Sequence, residues 1–269
     1  MGKNTEYKRY EAYSYLEADK DYPKFKMISP LDWVKDYYIP LTEQEEKRAQ
    51  KFLEDEINIS LHDHPALLPE DLDKDLDAYH REGREYLAYE ALSKSYLDAV
   101  FDNMMDGACT ITSKNGWKWS DVIYDMGMRF CDLAHQDFII KCEKVDDIIR
   151  AKNEGKIALI PSAEGAAMIE NELDRIDILY GLGIRLMGIT YSESNALGTG
   201  LKEERDGGLT SFGHKAVERM NKIGMAIDCS HCGTQTTLDV IKASKKPIFL
   251  THIGVNDLWE PNRFAPDEV

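Results

Sequence analysis

Short apolar segments alternate with longer stretches of helical periodicity from residue 57 onwards. The longer stretches repeat apolar residues every three or four positions, which predicts amphipathic helices. The short segments are rich in aliphatic and β-branched residues, which predicts buried strands. Six segments predict strands: INISLH (57–62), ACTIT (108–112), IALIPS (157–162), IRLMGIT (184–190), MAIDCS (225–230) and PIFLTH (247–252). Helices are predicted between them in EYLAYEALSKSYLDAVFDNMM, WSDVIYDMGMRFCDLAHQDF, IENELDRIDILYGL, SFGHKAVERMNKI and TTLDVIKAS.

Strands that alternate with helices predict βαβ units and a parallel sheet, so the expected fold class is α/β. A doubly wound sheet that binds a dinucleotide should carry a glycine-rich turn after an early strand, but the first strand here is followed by LHDHP. Polar residues instead follow the ends of several strands, which is typical of barrels. We therefore predict a TIM-type (β/α)8 barrel domain over residues 57–269.

Residues 1–56 lack this alternation and are rich in charged and aromatic side chains. The segment TEQEEKRAQKFLEDE predicts a solvated helix. Thr42 is its expected N-cap, since Glu45 follows at the spacing of a capping box. We interpret residues 1–56 as an N-terminal helical extension that packs on the barrel domain.

Composition limits the partners and the compartment. Asp and Glu outnumber Lys and Arg by 49 to 33, which gives a net charge of −16, and this argues against a nucleic-acid partner because such a partner needs a basic face. No apolar segment reaches the roughly 18 residues of a membrane span, and the first residues lack the apolar core of a secretory signal. Five scattered cysteines, an odd number, fit a reducing compartment. We therefore predict a cytoplasmic protein without a membrane span.

Two histidines end the first predicted strand. Side chains two positions apart on a strand point to the same side, so His62 and His64 present two imidazoles to one point. Such a pair is suited to metal binding, although two exposed loop histidines before Pro65 would have the same sequence.

Three further polar residues follow the third, fifth and sixth predicted strands: Glu164, His231 and His252. Each alone has an ordinary explanation, namely a glutamate at a helix N-terminus or a structural histidine with a hydrogen bond. Together with the first pair they place four of the seven histidines at the rim where barrel active sites are built. Imidazole and carboxylate suit zinc and related ions, so we predict a metal centre. The other histidines, His80, His135 and His214, fall in helical patterns and are expected at the surface or in the core.

Cys229 and Cys232 form a CxxC motif around His231. A structural zinc site would need a second pair at similar spacing, which Cys131 and Cys142 do not provide. A redox CxxC prefers a helix N-terminus after a strand, a context that is roughly present here. Packing beside the site is the favoured interpretation.

Four segments carry a resemblance to a known family: GKIALIPSAEGA, LYGLGIRLMGITYSESNALGTG, GLTSFGHKAVERMNKIGMAIDCSH and KKPIFLTHIGVNDLWEPNRFAPDEV. Their GLTxFG, MNxxGM, DxSH and NRxxPDE elements resemble, in order and spacing, the membrane (renal) dipeptidase family of zinc peptidases, family M19. The resemblance is strongest over residues 155–269 and looser over residues 57–69. It implies an amidohydrolase-like (β/α)8 barrel with two zinc ions and the possibility of a homodimer.

The resemblance also implies roles for individual residues. His62 and His64 would bind the first zinc ion, His231 and His252 the second. Glu164 would bridge the two ions and act as a catalytic residue. Arg263 and Tyr191 would bind substrate, with Arg263 holding its carboxylate as a bidentate fork; without the motif, Arg263 would be interpreted as a surface ion pair.

Three departures from the family pattern qualify these expectations. His64 stands where the family usually has aspartate, and Tyr191 stands where mammalian-like members have a histidine that contacts substrate. The sequence also ends after the sixth predicted βα unit, so we expect a C-terminally incomplete barrel. The missing last unit would carry an aspartate that handles the proton of the attacking water.

The expected function is therefore a zinc-dependent dipeptidase that hydrolyses dipeptides or dipeptide-like amides through a metal-bridging hydroxide. His64 and Tyr191 motivate an alternative, an amidohydrolase-like hydrolase of a lactone or a non-peptide amide. The missing strands motivate another, a catalytically impaired metal-binding relic with a binding or scaffold role.

Overall fold

The computed structural model describes residues 4, 6–29, 31, 39–82, 84–104, 118–255 and 264–265. The chain divides into two compact units. Unit 1 comprises Met1–Phe101, Ala108–Ile111 and Tyr124–Ile160, and unit 2 comprises Asp102–Gly107, Thr112–Ile123 and Pro161–Val269.

Unit 1 consists of short strands separated by helices. Strand β4 neighbours β1 and β6, and β5 pairs with β6 in parallel, with Ile139 opposite Ile157. Strands β2 and β3 form a separate antiparallel pair. In chain order the elements are α1 (Glu43–Asp55), β1 (Ile59–Asp63), β2 (Ala66–Leu67), α2 (Leu72–Glu82), β3 (Tyr86–Leu87), α3 (Tyr89–Lys94), β4 (Ala99–Asn103), α4 (Trp119–Leu133), β5 (Ile139–Lys141), α5 (Val145–Glu154) and β6 (Ile157–Ala163), of which β4, α4 and β6 have residues in both units.

Unit 2 contains the parallel strands that carry most of the candidate site. Met187 of β7 lies opposite Ala163 of β6 on one side and Ile227 of β8 on the other, and Phe249 forms one parallel bridge with Asp228. Two short strands, β9 and β10, pair in parallel. After β6, the elements are α6 (Asp174–Leu182), β7 (Leu186–Gly188), α7 (Ser211–Ile223), β8 (Ala226–Asp228), α8 (Thr234–Ala243), β9 (Gly254–Val255) and β10 (Phe264–Ala265).

The core of unit 2 explains why these elements form where they do. All residues of β6 are buried. Its nearly continuous apolar sequence is typical of a parallel strand that is covered on both faces. Helix α7 begins where the Thr210 hydroxyl accepts a hydrogen bond from the backbone N–H of Gly213, and it ends at Gly224 in the left-handed conformation. Its buried face is formed by Ala216, Val217 and Met220.

Within unit 1, the segment 6–29 packs against α3 and α4 through tyrosines. The carboxylate of Asp132, near the end of α4, accepts hydrogen bonds of 2.7 Å from the Tyr10 hydroxyl, the Tyr13 N–H and the Tyr89 hydroxyl. Tyr13 is 1% exposed, and its hydroxyl donates to the carbonyl of Glu85. These bonds fix the N-terminal segment to α3 and α4, because a buried carboxylate requires its donors.

Helix α1 confirms the predicted solvated helix. Thr42 and Glu45 form the reciprocal capping box that the sequence predicts, and the helix has no buried residue. Among the described residues, no helix combines the length and the apolar character that a membrane crossing requires.

Three predicted helices were wrong in part. The segment IENELDRIDILYGL (169–182) is α-helical only from Asp174 onwards. The segment EYLAYEALSKSYLDAVFDNMM contains β3, α3 and β4 rather than one helix, because helical periodicity cannot distinguish a short buried strand from a further helical turn. The segment that begins at Trp119 is helical only to Leu133, and β5 follows at Ile139. The predicted strand at residues 108–112 lies outside the described residues. The predicted strand at residues 247–252 was wrong, since this segment forms only one isolated parallel bridge, at Phe249. The remaining alternation of helices with parallel strands confirms the α/β class.

Candidate metal centre

Unit 2 brings together three of the residues predicted to bind metal. Glu164 follows the last residue of β6, His231 lies in the loop after β8, and His252 follows the bridge at Phe249. Neighbouring parallel strands end at the same edge of a sheet, so side chains just beyond these ends converge.

One carboxylate oxygen is the meeting point. Oε1 of Glu164 lies 2.7 Å from Nε2 of His231 and 3.2 Å from Nε2 of His252. The two imidazole ring centroids are 4.9 Å apart. Glu164 is 4% exposed and His231 2% exposed, whereas His252 is partly exposed. The site is therefore closed on one side and open at His252.

The His231 ring is held on both its edge and its face. Its Nδ1 lies 3.4 Å from the Ser192 hydroxyl, and Tyr191 stacks on the ring with centroids 4.3 Å apart and an interplanar angle of 22°. The His231 carbonyl accepts from the backbone N–H of Leu201 and from the Thr190 hydroxyl. Tyr191, predicted to bind substrate, thus also supports a candidate ligand.

His252 is held by a network that the sequence prediction missed. Thr251 Oγ1 lies 2.8 Å from His252 Nδ1 and donates to Asp228 Oδ2 at 2.6 Å. The Ser230 hydroxyl donates to the other oxygen of Asp228 at 2.7 Å. Asp228 is 2% exposed. A carboxylate at the end of an apolar strand, AID, was the available signal, because such a group is buried only with hydrogen-bond partners.

A glycine permits the position of Glu164. A Cβ atom on Gly188, at the end of β7, would overlap the backbone carbonyl of Glu164. The strand that follows β6 can therefore approach Glu164 only without a side chain at this position.

The other predicted residues fall into three groups. His62 and His64 belong to unit 1, where their Nε2 atoms lie 2.9 Å apart at the end of β1. Arg263 lies outside the described residues. Cys229 and Cys232 are buried free thiols, and the Thr190 hydroxyl contacts the Cys232 sulfur at 3.4 Å. A hydrogen bond with Cys232, together with burial, raises the pKa of Cys229. Burial also acts to raise the pKa of Cys232, but hydrogen bonds from Cys229 and Thr190 outweigh it and lower that pKa. The burial of both thiols agrees with the packing interpretation.

The donor set of unit 2 fits a divalent cation. A buried carboxylate is costly unless positive charge balances it, and two imidazole nitrogens share its surroundings. Carboxylate and imidazole are ligands that zinc and related ions prefer. Each of the two rings also has a hydroxyl beside its second nitrogen, and ligating histidines usually have a hydrogen-bonding partner at that nitrogen.

Comparison with known proteins agrees with this chemistry. The family model described as membrane dipeptidase, peptidase family M19, matches residues 48–269.

Three solved structures resemble the chain in fold. An amidohydrolase from Pseudomonas aeruginosa matches with a TM-score of 0.64 and 24% identity, covering 81% of this chain and 59% of its own. The probable dipeptidase PvdM from Pseudomonas aeruginosa matches with a TM-score of 0.66 and 20% identity, and the match covers 85% of this chain and 60% of PvdM. A dipeptidase described as a metallo peptidase of family M19 matches with a TM-score of 0.62 and 18% identity, and the match covers 79% of this chain and 67% of that dipeptidase. The chain thus spans about 60% of the length of the first two.

Proposed function

The chain belongs to the membrane dipeptidase family, peptidase family M19, and from this premise we propose that it is a metal-dependent dipeptidase. Its substrates are dipeptides or dipeptide-like amides. The observation that carries the proposal is the convergence of His231 and His252 on one oxygen of the buried Glu164 carboxylate. That arrangement has the charge and the donor types of a metal centre.

Glu164, His231 and His252 would hold a divalent cation, for which we propose zinc. The sequence pattern and the family resemblance add His62 and His64 as ligands and a second zinc ion, with Glu164 as the bridge. Divalent cations at such a centre lower the pKa of water and polarise a scissile carbonyl.

The chain's own residues supply position and proton transfer. Ser192 and Tyr191 hold the His231 ring with its Nε2 toward Glu164, so this ligand needs little reorganisation. Glu164 lies within 3.2 Å of both imidazoles and is our candidate for moving the proton of the attacking water. We propose that Arg263 recognises the substrate carboxylate, which confines the enzyme to short substrates.

Metal stoichiometry tests the centre directly. Elemental analysis of the 269-residue chain should find bound zinc, and His252→Ala should reduce its amount. The matched control is His214→Ala, because His214 is exposed on α7, and this variant should keep its metal. Equal metal content in His252→Ala and the parent protein would contradict the proposed centre.

A substrate panel tests the reaction. The zinc-loaded protein should hydrolyse the peptide bond of a dipeptide with a free C-terminal carboxylate. It should hydrolyse the same peptide bond far more slowly when that carboxylate is converted to an amide. The panel includes a lactone and a non-peptide amide, because Tyr191 over His231 leaves a neutral aromatic group beside the site. Turnover of these compounds without dipeptide hydrolysis would replace the dipeptidase proposal with the amidohydrolase-like one.

A further inference from the structure

We propose that Thr251 is a positioning residue that connects the Asp228 carboxylate to the His252 imidazole and thereby presents the unprotonated Nε2 of His252 to the metal centre. The inference rests on the proposed function in one respect, that His252 binds metal. It assigns to Asp228 and Thr251 a role that neither the family match nor the sequence motifs supplied.

Distances require an intermediary between Asp228 and His252. Nδ1 of His252 lies 4.0 Å from Oδ2 of Asp228, which is too long for a hydrogen bond. Oγ1 of Thr251 lies 2.6 Å from that same oxygen and 2.8 Å from Nδ1. The threonine hydroxyl therefore closes a gap that the two groups do not bridge directly.

The number of available hydrogens then determines which group donates in each of these hydrogen bonds. Asp228 is surrounded by donors, since it also receives the Ser230 hydroxyl and the backbone N–H groups of Ser230 and Thr251. A hydroxyl has one hydrogen, and Thr251 donates it to Asp228. The Ser230 hydroxyl, 3.2 Å from Thr251 Oγ1, also gives its hydrogen to Asp228. Thr251 can then only accept at its contact with His252, so Nδ1 of His252 carries a proton. In the neutral ring the lone pair is left on Nε2, the nitrogen that lies 3.2 Å from Glu164.

The backbone at this position is fixed by another residue. The Ser230 hydroxyl accepts from the N–H of Thr251 at 2.7 Å and from the N–H of His252 at 3.2 Å. The Thr251 side chain is thus left to orient the imidazole. A change from threonine to valine preserves shape and β-branching and removes the hydroxyl alone, which makes it a specific test.

The first measurement is zinc affinity, determined by competition with a chromophoric chelator for the 269-residue chain. We expect Thr251→Val to bind zinc about 10- to 100-fold more weakly, the loss found when an outer partner of a ligating histidine is removed. Thr251→Ser keeps a hydroxyl, and its zinc affinity should lie within about threefold of that of the parent protein. The matched control is Thr234→Val, because Thr234 is exposed in the first turn of α8, and it should bind like the parent protein.

The second measurement does not depend on metal. Long-range ¹H–¹⁵N spectra of the metal-free protein distinguish a protonated Nδ1 from a protonated Nε2, and His252→Ala identifies the resonances of His252. We expect the Nδ1–H form in the parent protein and in Thr251→Ser, and a mixture of both forms in Thr251→Val.

The outcomes separate this inference from the proposed function. If His252→Ala loses zinc while Thr251→Val binds it like the parent protein, the positioning role is wrong and the metal centre stands. An Nε2–H form of His252 in the parent protein likewise overturns the positioning role. If His252→Ala binds zinc normally, the proposed centre itself fails.

Discussion

Replacing Gly188 with alanine should damage the metal centre although no proposed ligand is replaced. The added Cβ would overlap the carbonyl of Glu164, which is backbone and has no rotamer to adopt. Either β7 or the backbone at Glu164 must therefore move. Because Ser162 and Ala163 pair with Leu186 and Met187 in register, the displacement is transmitted to the Glu164 carboxylate.

The magnitude follows from the kind of atom that the Cβ meets. Overpacking of a core usually costs about 1–3 kcal/mol, and a clash with backbone should lie near the upper end of that range. A loss of about 3 kcal/mol corresponds to a fall in Tm of roughly 6–12 °C for a protein of this size. Displacement of the shared carboxylate should also weaken zinc binding at least about tenfold, as disruption around a ligand does.

The assay compares Gly188→Ala with Gly181→Ala by thermal unfolding and by chelator competition. Gly181 lies in the last turn of α6, and a Cβ there would meet no atom within 4 Å. The same substitution at Gly181 should leave zinc binding unchanged and stabilise the protein by up to about 1 kcal/mol, because glycine is a poor helix former. A Gly188→Ala protein with parental Tm and zinc affinity would refute the argument that close backbone approach positions Glu164.

Three further predictions concern unit 1. Asp132→Ala should lower the free energy of unfolding in urea by about 3 kcal/mol or more, because it removes the acceptor for two buried donors and one part-buried donor at about 1–3 kcal/mol for each buried one; a change below 1 kcal/mol would contradict it. Burial raises the pKa of Tyr13, Tyr79 and Tyr89 above the ordinary value of 10.0. Their contribution to stability is therefore complete below pH 10 and is lost as the pH rises further. The free energy of unfolding, and with it Tm, should be insensitive to these groups below pH 10, and above it the free energy should fall by up to about 4 kcal/mol per pH unit for three protons; Tm unchanged from pH 10 to pH 11.5 would refute it. Thr42→Ala should speed amide exchange in the first turn of α1 with a local cost of about 1 kcal/mol, and parental exchange rates there would show that the cap contributes nothing.

The sequence predicted those elements whose signals are local. The predicted helix SFGHKAVERMNKI coincides with α7, whose ends are set locally by the Thr210 cap and by Gly224. Strand β6 was found because an entirely buried strand is a continuous apolar run. Strand β4 was hidden, since AVFDN continues the apolar spacing of the helix before it. Periodicity carries no information about where one short element gives way to the next.

The candidate site divides in the same way. Glu164, His231 and His252 were identified from their places after predicted strands, a rule that depends only on chain order. The roles of Asp228 and Thr251 depend on side-chain directions between segments 23 residues apart. The space that Gly188 leaves for Glu164 depends on the distance between two strands. No pattern along the chain encodes either quantity.

The hydrogen bonds from Tyr10 and Tyr13 to Asp132 tie residues before the family match into the core of unit 1. The family match begins at residue 48, yet Tyr13 lies in the core of unit 1 and Tyr10 shares the Asp132 carboxylate. A polypeptide cut at residue 48 would retain that buried carboxylate with only Tyr89 to donate to it, beside the cavity that Tyr13 had filled. The residues that the family model matches are therefore only part of the packed unit, and a polypeptide that begins at residue 48 should unfold more easily than the 269-residue chain.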